Sequence, residues 1–193
     1  RERLWVTGES IAKGSAPVQV PDFTRGKWEP RKPYFAPDDG KFVRPGAQPV
    51  VRTEDGMLSQ EFALGLRVPR VELPGVALRL TGDPQPFTGW PAAGNKPIHC
   101  LFSSADWGIE LTVPTGSTGT VSVYAYDAEG LRRQTVAFEN GEPAKLDDFS
   151  KGKWLEYPFT AQESQDGLLR LAVRTVAGNC VLSKLKVAIA EAK

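Results

Sequence analysis

Histidine occurs once in these 193 residues, as His99, and cysteine twice, as Cys100 and Cys180. That scarcity excludes most metal and nucleophilic chemistry. A zinc site built from cysteines has too few ligands, and any Ser-His-Asp or Cys-His centre has to be built on His99. This residue lies in the apolar run Ile98-His99-Cys100-Leu101-Phe102, where a buried, hydrogen-bonded imidazole is the plainer expectation. Its neighbour Cys100 points to the opposite face of a strand. An excess of charge of one sign is also missing. The 24 Lys and Arg meet 23 Asp and Glu, leaving a net charge of +1, so no long-range field draws in nucleic acid or an anionic membrane. No run approaches the roughly 18 consecutive apolar residues of a membrane span. The start Arg1-Glu2-Arg3-Leu4-Trp5 lacks a signal peptide's apolar core, so the expectation is a chain excised or processed from a larger protein.

Phosphate loops are absent as well. The stretch Pro114-Thr115-Gly116-Ser117-Thr118-Gly119 carries glycine without the lysine and helix such loops require, and reads as a turn. The adjacent acids Asp38-Asp39 and Asp147-Asp148 read as solvated or capping groups rather than a glycosidase pair. No catalytic residue is assigned.

What the chain does have is 19 Gly and 16 Pro. Residues from about 14 to 60 are crowded with proline, glycine and charge, so a central sheet is not expected there. Phe23, Trp28, Tyr34, Phe35, Phe42 and Val43 are interleaved with the prolines, which predicts an ordered, loop-rich insertion lying on the fold. Beyond it short alternating runs take over. Trp107, Ile109, Leu111 and Val113 alternate with Gly108, Glu110 and Thr112, giving one buried and one wetter face. Thr120 to Tyr126, Gln134 to Phe138, Leu169 to Val173 and a single run from Cys180 to Ile189 behave alike. Further strands are expected at 4–7, 64–71 and 76–80. Asn140-Gly141 signals a hairpin, because both residues tolerate positive φ. No long helical period occurs, so the class is all-β: an antiparallel β-sandwich in a single domain spanning 1–193. Cys100 and Cys180 lie in separate runs, which leaves open one bridge between core strands or two buried thiols.

The runs Trp107-Gly108-Ile109-Glu110-Leu111-Thr112-Val113-Pro114, Val123-Tyr124-Ala125-Tyr126-Asp127, Arg132-Arg133-Gln134-Thr135-Val136, Phe149-Ser150-Lys151-Gly152-Lys153-Trp154 and Gly178-Asn179-Cys180-Val181-Leu182-Ser183 together resemble the jelly-roll domains of the galactose-binding-like superfamily. The resemblance covers about 98–190. It implies a carbohydrate-binding or accessory module of a bacterial polysaccharide-degrading enzyme, located outside the cytoplasm. It also implies that an acidic residue near the first strand holds a structural calcium; Glu9 stands there, with a solvated carboxylate as the alternative.

Sugars are recognised by aromatic faces against pyranose C–H patches, with planar polar groups at the rim. Trp107, Trp154 and Trp5 read as packing residues. Trp28, Tyr34 and Trp90 stand outside every alternating run and are the predicted platforms for an oligosaccharide or polysaccharide, with Arg31 and Asn95 as polar partners. The rival role for those aromatics is to pin loops to the core. Two rival functions stand beside carbohydrate binding: a structural or protein-interaction domain packed against a catalytic neighbour, and an enzyme of unfamiliar type.

Overall fold

The computed structural model describes residues 47–66, 71–89 and 98–190, and its strands follow from alternation of apolar and polar side chains. In chain order they are β1 (Val51–Arg52), β2 (Leu58–Ala63), β3 (Ala77–Thr81), β4 (Gln85–Gly89), β5 (Ile98–Ser103), β6 (Trp107–Thr112) and β7 (Gly119–Ala125). They continue as β8 (Arg133–Phe138), β9 (Ala144–Leu146), β10 (Lys153–Phe159), β11 (Leu168–Ala177), β12 (Cys180–Leu182) and β13 (Lys184–Ile189). No helix occurs among the described residues.

The strands form three antiparallel sheets. The first has the order β1-β2-β13-β7-β10, the second β3-β6-β11-β8-β9 and the third β12-β5-β4. Register turns alternation into rows. Phe62, Leu185, Val123 and Leu155 stand abreast on one face of the first sheet. Leu80, Ile109, Leu171 and Phe138 do the same on the second. Side chains from all three sheets belong to one buried cluster.

One buried glutamine joins two sheets, and another anchors connecting segments to β2. Gln134 is buried on β8, and its Nε2 donates to the Val181 carbonyl at 2.9 Å while the Val181 N–H donates to its Oε1 at 2.7 Å. One side chain thus acts as a strand neighbour for β12, joining the second sheet to the third. Gln60 donates to the Gln48 carbonyl at 3.0 Å and accepts from the Glu72 N–H at 2.8 Å.

Several sequence expectations are corrected. Residues 58–60 belong to β2, a strand flanked by β1 and β13, so the end of the loop-rich segment is sheet. Of the strand expected at 64–71, residues 67–70 lie outside the described residues; β2 ends at Ala63, and Gly65 follows it with φ 87°. Its Cβ position lies 2.2 Å from the Cys100 carbonyl oxygen, so only glycine fits. In the β8–β9 hairpin the positive φ falls on Glu139 (48°), not on Asn140 or Gly141. Its N–H donates to the Arg170 carbonyl at 2.8 Å and its carboxylate accepts from the Arg170 N–H, which together hold that conformation.

Trp154 is also corrected. Trp107 is 4% exposed and packs in the core, but Trp154 is 39% exposed, because its register opposite Tyr124 places it on the outer face of the first sheet. Replacing Trp107 by Ala is expected to cost about 3–5 kcal/mol. Trp154→Ala is expected to cost only about 1 kcal/mol, the scale of one aromatic pair. Urea midpoints of the two variants check this; equal losses contradict the placement.

Candidate functional site

Ser183 separates β12 from β13. Its N–H donates to the Tyr124 carbonyl at 2.7 Å, and its own carbonyl accepts from the Leu64 N–H at 2.8 Å. Within one residue the chain leaves the third sheet and enters the first. Where the sheets part, a hollow of about 220 Å³ is lined by Ile98, His99, Tyr124, Tyr126, Ser183, Lys184 and Ala63.

The walls of this hollow are set by their neighbours. Tyr124 leans on Trp154, with ring centroids 5.2 Å apart and planes at 45°. Lys184 Nζ stands 5.9 Å from the Tyr124 ring centroid and 2.8 Å from Glu61 Oε1. Beneath the Tyr124 hydroxyl lies Gly152, at φ 79°, where an added Cβ would meet that oxygen at 1.7 Å. His99 Nδ1 lies 3.0 Å from Thr88 Oγ1. The Ser183 hydroxyl is buried and has no hydrogen-bond partner among the described residues.

Tyr126 and Ile98 also line an adjoining hollow of about 490 Å³, together with Phe87, Phe102, Cys100, Glu129, Arg132 and Asn179. Phe87 is 49% exposed on edge strand β4 and meets Phe102 edge-on, centroids 6.1 Å apart. The two hollows make one groove. It runs from Phe87 past Tyr126 to Tyr124 and Lys184.

One wall of the groove is the β7–β8 turn, held by Asp127. This buried carboxylate accepts from the Arg132 N–H at 2.7 Å, the Glu129 N–H at 3.2 Å and the Arg132 guanidinium. Burial pushes its pKa up, but the hydrogen bonds from Arg132 and Glu129 outweigh burial and leave it below the ordinary value.

A larger cleft of about 870 Å³ lies elsewhere, lined by Phe138, Tyr157, Gln162, Glu139, Glu142, Glu163, Asp166 and Arg170 among others. Its polar groups are largely occupied in holding turns. Glu163 accepts from the Thr160 N–H and hydroxyl at 2.8 Å each, and Asp166 accepts from the Leu168 N–H at 2.9 Å. Tyr157 stacks on Phe138, its hydroxyl donates to the Val136 carbonyl at 3.2 Å, and burial pushes its pKa up to about 12. These contacts account for the cleft as architecture.

Trp28, Tyr34, Trp90, Arg31, Asn95 and Glu9 all lie outside the described residues. Gly89 and Ile98, which bracket the segment carrying Trp90 and Asn95, both line the groove. The aromatics that line the two hollows are Phe87, Phe102, Tyr124 and Tyr126, and Trp154 stands against Tyr124. Sequence reasoning assigned Tyr124, Tyr126 and Trp154 to strands or packing, although the alternation of Tyr124 and Tyr126 with buried Val123 and Ala125 was a signal that they face outward.

His99 is hydrogen-bonded as expected but half-buried rather than buried, and it lines the smaller hollow. Cys100 and Cys180 are buried free thiols. Cys180 stands opposite Ser103 on β5. Cys100 is three residues further along that strand, about 10 Å away at roughly 3.3 Å per residue, and on the opposite face. A bridge needs Cα atoms within about 7 Å. Burial pushes the Cys100 thiol up to about 11, so no thiolate is available to His99 at neutral pH. Asp148 accepts from the Ser150 N–H at 3.1 Å and hydroxyl at 2.8 Å, the turn-capping role expected of it.

No family model matches the chain, and no curated protein matches its sequence. Among solved structures, TmCBM61 in complex with beta-1,4-galactotriose superposes with a TM-score of 0.35 at 13% identity, over 56% of this chain and 86% of that one. A family two carbohydrate esterase from Cellvibrio japonicus gives a TM-score of 0.35 at 13% identity, over 58% of this chain and 33% of that one. The site is therefore read from its own residues.

Two outcomes are expected. Alkylation at pH 8 should modify neither cysteine in the native protein and both after unfolding; intact mass showing a bridge contradicts the register. Asp127→Asn should cost about 1–3 kcal/mol at pH 7. A carboxyl whose folded pKa lies below its unfolded value of about 3.9 contributes stability above that pH and loses it as pH falls through the folded value. Urea midpoints of wild type should therefore decline on acidification, and those of the variant should decline less.

Proposed function

We propose that this domain binds carbohydrate in the groove between its first and third sheets, without chemistry of its own. In this reading the sheets form a jelly-roll sandwich of the galactose-binding-like kind. The domain serves as a module of a larger extracytoplasmic glycan-processing protein, since polysaccharides are met outside the cytoplasm.

The observation that carries the reading is the aromatic lining. Tyr126 lines both hollows, Phe87 lines the larger, and Tyr124, which leans on Trp154, lines the smaller. Aromatic faces at intervals along an open groove suit successive pyranose rings. Polar groups at the margin, Asn179 and Lys184 among them, suit hydroxyls. The non-catalytic part is supported by the protonated Cys100 thiol, by its placement on the face opposite His99, and by the engagement of Asp148 in a turn.

The test is affinity electrophoresis in gels containing single polysaccharides, with Tyr126→Ala and Phe87→Ala beside wild type. One polysaccharide should retard the wild-type chain. Each variant should bind it roughly 5–30-fold more weakly, the loss of about 1–2 kcal/mol from one stacking face. Melting temperatures should move little. Retention of neither wild type nor variants, or equal retention of all three, contradicts the reading.

The interaction-domain alternative has one observation in its favour. Leu131 and Val176 are largely exposed near the β11–β12 turn, where apolar side chains suit a neighbouring domain.

A further inference from the structure

Every polar side chain that lines the smaller hollow can donate: the Lys184 ammonium only donates, while the hydroxyls of Tyr124, Tyr126 and Ser183 and the His99 imidazole can also accept. No carboxylate or amide side chain is among its lining residues. Lys184 has three N–H donors, of which Glu61 takes one at 2.8 Å. Ser183 is 6% exposed, and its hydroxyl has no partner among the described residues, an arrangement that buried polar groups avoid unless something completes it.

The large cleft is the internal contrast. Glu139, Glu142, Glu163 and Asp166 line it against the single cation Arg170, so an anion is repelled there. The same chain therefore offers a donor-rich hollow and an acid-rich cleft, and the aromatic groove adjoins the first.

We propose that the hollow between Ser183, Lys184 and His99 receives an anionic substituent of a pyranose, so that the groove selects acidic glycans over neutral ones. The proposal rests on the carbohydrate reading of the groove and names its ligand class. Anionic oxygens are the shared chemistry, and a uronate carboxylate and a sulfate ester are its two sources. Lys184 supplies an ammonium that keeps two N–H donors beyond the one Glu61 takes. Ser183 supplies a short donor from the sheet junction. Charge-assisted bonds of this kind are stronger than neutral ones, so the acidic form of a sugar gains over its neutral counterpart.

The experiment is titration calorimetry of the full chain with oligomers from pectate and alginate, each beside its carboxyl-reduced form, and with a sulfated galactan beside its desulfated form. The variants are Lys184→Gln, Ser183→Ala and Tyr126→Ala, with melting curves alongside. At least one acidic oligomer should bind about tenfold or more tightly than its neutral counterpart. Lys184→Gln should erase most of that preference, Ser183→Ala should reduce it, and Tyr126→Ala should weaken acidic and neutral forms alike. Preference for the polyuronates or for the sulfated galactan tells the two sources apart. Equal binding of acidic and neutral forms by wild type, still weakened by Tyr126→Ala, overturns the anion proposal and leaves the carbohydrate reading standing. A preference that survives in both Lys184→Gln and Ser183→Ala also overturns the proposal. Binding of no oligomer, acidic or neutral, overturns both readings.

Discussion

The whole arrangement depends on one residue's backbone. At Ser183 the chain stops pairing with β5 and starts pairing with β2 and β7, and both of its main-chain groups are taken, by Tyr124 and Leu64. A continuous strand here would keep the first and third sheets in one plane and leave no space between them. At the break, Ile98 and His99 at the start of β5 and Tyr124 and Tyr126 at the end of β7 come to line the same hollow. The hollow is the gap opened by that break, which explains why its lining comes from four strands and a junction.

A gap between sheets is costly unless the layers are held by other means, because exposed backbone groups and lost packing both destabilise. Here the ties are polar. The Gln134 amide pairs with both backbone groups of Val181 and so fixes β12 against the second sheet. Asp127 gathers the β7–β8 turn around a single buried carboxylate, with Arg132 both tied to it and lining the larger hollow. Gly152 leaves room for the Tyr124 ring to lie where Lys184 can cover it. These contacts hold the described walls of the groove in place.

Charge is distributed with the same economy. A net charge near zero hides an uneven surface, with acids collected around Arg170 and donors collected around Ser183. Pairing already satisfies most of the acids, whereas in the hollow Lys184 pairs with Glu61 and His99 with Thr88 while the Ser183 hydroxyl has no partner among the described residues.

Alternation along the chain determined the class, the core and most of the strands by itself. The strands β6, β7, β8 and β11 were legible because an inward side chain every second residue is a local property of extended backbone. The edge strands β1, β4 and β9 were not legible, since short strands with exposed faces leave no such pattern, as the sequence Gln85-Pro86-Phe87-Thr88-Gly89 illustrates. Composition alone excluded a cysteine-built zinc site and a field for nucleic acid. Tertiary structure alone decided that Trp154 faces outward, that Cys100 and Cys180 stand three residues out of register, and that the run from 180 to 189 is two strands in two sheets. Each of these turns on which strand lies beside which. That pairing is a long-range choice made by hydrogen bonds such as those of Ser183, between residues dozens of positions apart, and no local pattern at Cys180, Val181, Leu182 or Ser183 announces it.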